Sequence, residues 1–519
     1  MHQLSLLWPW RHRTALALFV AVFVIGAGTP PCPSPDGVEM AAAGMATLRA
    51  LTGQGSLVGT EPFYWPPLFP LLSGFLGLAL GPSVGAQVVS IAGTALVLAG
   101  LSRLASRYEA GFLVPLVAVA VPSYRHYAML GDARSLATAA LVWAWVGVMQ
   151  GRAGWKIGAL LGVAWLTRPE AGPGVLLILL ALALVRWREA LAAFGLLVAF
   201  IAPYLTFLSW WVGRPVFSPR DWMSAITPWL AVLPMEWVQA ELAAGTWGTP
   251  LRAAVSQLPP DVDMLPDVAG AMDFLPGAFA AMAPMWLWVA AAVGLALTRP
   301  RRWMMAIVGA LVLPALLVHL APQARDEVLP LNNLRPLLVS LILLASLGIG
   351  ALVTRWPRLE PGAAVALLLA GAAHLGELPP EFPVDTPLAR ASVAALATHV
   401  PPGEAVAATL STAPWVLRGG HPRRRLPPPW MVGEWMRGSE RTSYLLISWM
   451  DLPGSARSLQ SLQDLAGVEP IWSARDGDAW AILARVGTPG QMGQLAPRAT
   501  QIPLVGEPVF ADSVMSARE

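Results

Sequence analysis

Long apolar runs, recurring along most of the chain, fix what it can fold into. "GVLLILLALALV" (174–185) and "PLLVSLILLASLGIGALV" (336–353) contain no acid or base. Such runs, extended into their flanks, approach the ~20 apolar residues that cross a bilayer as a helix. They are continuous rather than alternating, which disfavours a membrane β-barrel. Charged residues make up only 13% of the 519, against about 25% in soluble domains. The predicted class is an all-α polytopic transmembrane protein.

Eleven spans are expected: Thr14–Gly28, Ser83–Leu101, Gly111–Val121, Leu136–Met149, Ile157–Leu166, Gly174–Val185, Ala190–Trp211, Phe279–Leu297, Met304–Leu320, Pro336–Val353 and Gly362–His374. Arg11 and Arg13 precede the first run like a signal peptide, but no convincing cleavage site follows, so it is read as an uncleaved span. "PLFPLLSGFLGLAL" (67–80) is short for a span and is placed in the interface or as a re-entrant segment. Charge supports that choice. With 67–80 non-spanning and the N-terminus inside, the inner connections carry Arg103 and Arg107, Arg152 and Lys156, Arg186 and Arg188, then Arg299, Arg301 and Arg302, and last Arg355 and Arg358. Every short inner loop is then basic, as the positive-inside rule requires. Counting 67–80 as a span would put the Arg103/Arg107 and Arg152/Lys156 pairs outside.

The domain organisation follows. Residues 1–376 form the transmembrane domain, with outer loops at 29–82 and 213–278. Residues 383–486 read as a small α/β domain outside the membrane. "EAVAATL" and "TSYLLISW" read as strands, and "PIWSARDGDAWAILARV" as a hairpin around an Asp-Gly turn. The Pro/Gly-rich tail 487–519 is expected to be poorly ordered. A net charge of +3 is too small to argue for nucleic acid, and no nucleic-acid partner is expected. The single cysteine, Cys32, excludes an internal disulfide.

The polar groups collect on the outer side. Asp36 and Glu39 follow the first span, and Glu61 and Tyr64 end the same loop. "PSYRHYAMLGDARS" forms the second outer loop, with Arg125, His126, Asp132 and Arg134. "WLTRPEAG" puts Arg168 and Glu170 at the outer end of the fifth span, and Arg325, Asp326, Glu327 and Arg335 lie before the tenth. Arginine in a span costs about 2.5–3.5 kcal/mol at the centre, and positive-inside bias works against it outside. A phosphate ligand is one reason to keep arginines there, because their forked donors match its oxygens. Pairing with a neighbouring acid, or snorkelling to the interface, is the plainer reading of any single one.

An acid after span one, a small-residue helix ending near "LTGQG", then "YWPPLFPLLSGFLGLALG", resembles the GT-C class of polytopic membrane glycosyltransferases. Within that class the likeness is to protein mannosyltransferase-like and aminoarabinose transferase-like enzymes. "GVAWLTRPEAGPGVLLILLAL" and "NLRPLLVSLILL" resemble its later segments in order and spacing. The resemblance implies a sugar donor on a polyprenyl phosphate and a lipid, glycan or protein acceptor. It places transfer on the outer face of a bacterial cytoplasmic membrane, with the N-terminus in the cytoplasm and the C-terminal domain outside. It marks Asp36 and Asp132 as catalytic acids and Arg168 and Arg335 as substrate-binding, to which the outer loops add Glu39, Tyr64 and Arg134. Here the acids are separated, Asp36 and Glu39, where some mannosyltransferases carry adjacent ones.

"SPDGVEM" also suits a capping box, with Asp36 as N-cap and Glu39 three residues on. No metal ligand set is assigned, although Asp261, Asp263 and Asp267 in "DVDMLPD" are the residues to which a divalent cation would go. A transporter or flippase of lipid-linked or envelope substrates is the rival class, with a non-catalytic assembly protein third. The topology has a direct test. In a Cys32→Ser background, Ser218→Cys should react with a membrane-impermeant maleimide in spheroplasts and Ala153→Cys should not. Labelling of Ala153→Cys alone would invert the assignment.

Overall fold

The computed structural model describes residues 10–26, 35–54, 66–212, 283–298, 335–373, 387–404, 406–408, 412, 415–416, 419–421, 423–425, 443–448, 468–476 and 479–486. Its helices are α1 (Trp10–Gly26), α2 (Pro35–Leu51), α3 (Leu68–Leu80), α4 (Pro82–Ala105), α5 (Leu113–Val119), α6 (Pro122–Met129), α7 (Arg134–Met149) and α8 (Gly154–Thr167). They continue with α9 (Gly172–Val212), α10 (Met285–Thr298), α11 (Arg335–Arg355), α12 (Glu360–Ala373) and α13 (Pro387–His399). Among the described residues three stretches are long and apolar enough to cross a membrane: Pro82–Tyr108, Pro169–Phe207 and Leu337–Arg355. At 13 residues, α3 spans about 20 Å, short of the ~30 Å hydrocarbon core. The expected span Met304–Leu320, the loop 213–278 and the tail 487–519 lie outside the described residues.

Apolar side chains cover both faces of these helices. On α9, Val175, Ile178 and Leu182 are buried in the core, while Leu176, Leu180 and Leu184 stand exposed one helical turn apart. A helix that is hydrophobic all round belongs in hydrocarbon. Small residues then let the backbones approach. Gly154, Gly158 and Gly162 lie at four-residue spacing along α8, and added methyls there would collide with Glu189, Ala193 and Phe200 of α9. Gly44 of α2 and Gly74 of α3 face each other in the same way. Lipid tails are as apolar as leucine, so close packing of this kind carries much of helix association in a bilayer.

One expectation needs correction. The segment after Val121, expected as a loop, starts with a further helix. Pro122 pushes Val121 into an extended conformation (φ −107°, ψ 103°), which separates α5 from α6. The second outer loop therefore begins as a helix whose Tyr124, Arg125 and Ala128 are buried. Expected spans six and seven, Gly174–Val185 and Ala190–Trp211, correspond to the two helical halves of α9, which part at Arg186 (φ −147°, ψ 71°), within the connection expected between them.

The described arginines of the basic loops gather at one end of the bundle. Arg107 donates to the Met149 carbonyl at 3.1 Å, and Arg186 to the Arg152 and Val148 carbonyls at 3.2 and 3.3 Å. Glu189, one turn past the break, accepts the Gly154 backbone N–H. Met149 ends α7, so Arg134 and its neighbours mark the other end.

The C-terminal region is β-rich. Strands β1 (Val406–Ala408), β2 (Arg423–Arg425), β3 (Ser443–Ser448), β4 (Val468–Asp476) and β5 (Ala479–Val486) form one sheet in the order β2-β1-β3-β5-β4. β1 pairs in parallel with β2 and β3, and the other pairs are antiparallel. The register slips between Pro470 and Trp472, where proline supplies no ladder donor. Leu388, Ala395 and Leu396 of α13 cover Val406, Leu446 and Leu483.

The glycine stripe can be tested directly. Gly158→Val should overpack the α8–α9 contact and destabilise the fold by about 1–3 kcal/mol. Thermal unfolding in detergent should show the loss, whereas Gly172→Ala, where nothing lies within 4 Å of an added methyl, should leave the midpoint within a degree or two.

Candidate functional site

Two turns, far apart in sequence, meet opposite the arginine-rich end. In "LGDARS" Gly131 takes φ +68°, a left-handed conformation that glycine adopts without penalty, and delivers Asp132 to the start of α7. Asp132 Oδ1 accepts the Arg134 backbone N–H at 2.8 Å, in the manner of a helix cap. In "LTRPEAG" Pro169 disfavours helical geometry at Arg168, which is extended (φ −153°, ψ 112°) and ends α8. A single 3₁₀ turn, Pro169–Ala171, then carries Glu170 back beside Arg168.

These turns join in an ion cluster. Arg168 Nη1 donates to Asp132 Oδ1 at 3.2 Å, and the Nη2 and Nε edge faces Glu170 Oε1 and Oε2 at 3.2 and 3.4 Å. Arg134 pairs with Asp132 Oδ2. The Asp132 side chain is 4% exposed and that of Arg168 10%, whereas Glu170 is 40% exposed. Among the described residues two cations thus meet two carboxylates, and Glu170 is the most exposed of the carboxylates. Each Asp132 oxygen already has a donor, so this acid orients the two arginines and caps α7 at once.

Behind the cluster lies a seam of hydroxyls. Ser90 of α4 donates to the Ala128 carbonyl of α6 at 3.0 Å, and its Oγ lies 3.0 Å from that of Ser135, the residue after Arg134. Gly93 lets α4 approach the backbone at Ser135 and Leu136.

Helix α2 reaches the same place. Met40 and Ala41 share a buried cluster with Phe69, Ala86, Val89 and Ala133, the neighbour of Asp132. Asp36 lies in the first turn of α2, one turn before Met40. The helix is described from Pro35 onward. The side chains of Asp36, Glu39 and Arg335, and all of Tyr64, lie outside the described residues. Arg335 begins α11, and Gly350 near the other end of that helix packs on Ala110, close to Arg107. Its start is therefore at the ion-cluster end.

Of the sequence-predicted site residues, Asp132, Arg134 and Arg168 come together in direct contact. Two further residues emerge. Glu170 completes the Arg168 fork, and the Glu two positions from an Arg in "RPE" was the available signal. Arg125 is 1% exposed within α6, and its burial became visible only with the helix that Pro122 starts. Among the described residues no group of three or more metal-ligating side chains occurs. The three aspartates of "DVDMLPD" lie outside them.

No family model and no curated protein matches the chain. Among solved structures it is similar to ArnT from Cupriavidus metallidurans in the apo state, at 15% identity over 91% of this chain and 97% of that one, with a TM-score of 0.42. A structure of the same protein bound to undecaprenyl phosphate gives 14% identity, the same coverage and a TM-score of 0.40. Both are too distant to assign a family or a function.

Removing one partner of a buried ion pair leaves an uncompensated charge. Asp132→Ala should therefore destabilise the protein by about 3–5 kcal/mol. Adding Arg168→Met should recover part of that loss. Thermal unfolding of the two variants in detergent is the measurement, and strictly additive losses would show that the pair is not coupled.

Proposed function

We propose that this protein is a membrane glycosyltransferase of GT-C type. It moves a sugar from a polyprenyl-phosphate-linked donor to a lipid, glycan or protein acceptor on the extracytoplasmic face. The observation that carries this reading is the pairing of Arg134 and Arg168 on one buried carboxylate, beside the helix that brings Asp36. The order of acidic and arginine-led segments, which resembles that class, supports it independently.

In the proposed reaction the acceptor hydroxyl attacks the anomeric carbon from the face opposite the phosphate. Its proton passes to the Asp36 carboxylate, a base held in the first turn of α2. The bond from carbon to phosphate oxygen breaks, the electron pair leaves with the phosphate, and the anomeric configuration inverts. Phosphate is a weak base, so its departure calls for charge stabilisation more than protonation. Arg134 and Arg168, pre-oriented by Asp132 before the donor arrives, supply that charge together with Arg335. An incoming phosphate takes the place of Glu170 on the Arg168 fork, because that carboxylate is the exposed one. Glu39 and Tyr64 contribute to holding the sugar or acceptor.

Asp36→Asn keeps the size and polarity of the side chain but removes the base. Purified variant should unfold at the wild-type temperature and still bind donor. Transfer of radiolabelled sugar from a polyprenyl-phosphate donor should fall roughly 10²–10⁴-fold. Wild-type transfer rates in a folded Asp36→Asn protein would remove Asp36 from the mechanism. A wild-type protein that moves the labelled lipid across vesicles without cleaving it would favour the transporter reading.

A further inference from the structure

Three tryptophan–cation pairs stand at the arginine-rich end of the bundle, away from the ion cluster. Lys156 Nζ lies 5.2 Å from the Trp155 ring centre, the Arg188 guanidinium 5.4 Å from Trp187, and that of Arg355 5.5 Å from Trp356. The rings are 56%, 60% and 51% exposed, and the three cations are exposed as well. They belong to three elements, the start of α8, the break in α9 and the end of α11. The contacts from Arg107 to Met149, from Arg186 to Arg152 and from Gly350 to Ala110 tie these elements to one end. Arg103, Arg107, Arg152, Arg186 and Arg358 add to the positive charge there. The acids at that end among the described residues are Glu109, Glu189 and Glu360, and Glu189 already accepts the Gly154 N–H.

Exposed tryptophan settles at the level of lipid headgroups, with its ring toward the hydrocarbon and its polar edge toward water. A cation held over such a ring sits at headgroup depth, drawn there by the ring face rather than by a competing carboxylate. We propose that this end of the bundle is a binding surface for anionic phospholipid headgroups, with Lys156, Arg188 and Arg355 as phosphate-facing cations and Trp155, Trp187 and Trp356 fixing their depth. Arg186 differs, because its donors go to the Val148 and Arg152 carbonyls and hold the break in α9 in place. By the positive-inside assignment the lipids belong to the cytoplasmic leaflet. Anionic-lipid binding here does not depend on glycosyl transfer.

The full-length protein, purified in dodecylmaltoside, is titrated with phosphatidylglycerol or phosphatidylcholine, and retained lipid is counted by native mass spectrometry. Each basic residue near an anionic surface contributes roughly fivefold in affinity, so three predict a preference on the order of a hundredfold for phosphatidylglycerol. The triple variant Lys156→Gln, Arg188→Gln, Arg355→Gln should lose that preference. The charge-conserving triple Lys156→Arg, Arg188→Lys, Arg355→Lys should keep it. On the wild-type protein, about 1 M salt shortens screening to ~3 Å and should abolish the preference, a readout that requires no variant to fold. Equal retention of the two lipids by the wild type, or an unchanged preference in the glutamine triple, would overturn the proposal.

Discussion

Charge survives in hydrocarbon only at the ends of helices or in pairs, and this constraint arranges the rest of the molecule. Helices α7, α8 and the two halves of α9 on either side of Arg186–Glu189 carry almost no charge along their lengths. Where the chain turns at one end, arginines spend their donors on backbone carbonyls that the ends of α7 and the next turn leave open. Where it turns at the other end, the arginines meet carboxylates. The same residue type thus does two jobs. Carbonyl contacts close the fold, while carboxylate contacts build a polarised site whose charge can be redistributed.

Placement of that site depends on backbone proximity rather than on the charges themselves. Asp132 and Arg168 are 36 residues apart, and long side chains bridge only a few ångströms. The small-residue contacts of α8 on α9, of α2 on α3 and of α4 at Ser135 set the helix ends to within that reach. A hydroxyl seam fixes α4 to α6 and α7 directly behind the cluster. A methyl added at Gly93 would move the backbone at Ser135, and with it the turn that presents Asp132 and Arg134.

The sequence made some of this legible because the causes are local. Pro169 after Arg168 announces the end of α8 and the exposure of "RPE" to the other turn. Basic loops announce one end of the bundle, and the "RDGDA" turn announces the β4–β5 hairpin. Other features are set by neighbours distant in the chain. Nothing in "VPSYRHYAM" distinguishes a solvated loop from a helix buried against α4 and α11, so Arg125 looked like an ordinary loop cation. The break at Arg186, by contrast, is announced by the charged insert Arg186–Glu189 between two apolar runs. The pairing of Asp132 with Arg168 required the bundle to be assembled before it existed.

The balance of the cluster bears on how it could handle a phosphate. A free pair of buried arginines would be costly to maintain, since each buried ion carries a penalty of several kcal/mol. Asp132 offsets part of that penalty and, being itself buried, is a fixed partner. Glu170 neutralises the remaining charge from a position open to water, where its hold on Arg168 is weakened by solvent. On the proposed reading, an anionic donor therefore exchanges with one carboxylate and leaves the other in place. The arginines keep their orientation through the exchange because Asp132 is bound to the α7 backbone through the Arg134 N–H as well as to both guanidiniums. A site built this way is ordered before the ligand arrives, and the reorganisation it then requires is confined to one exposed side chain.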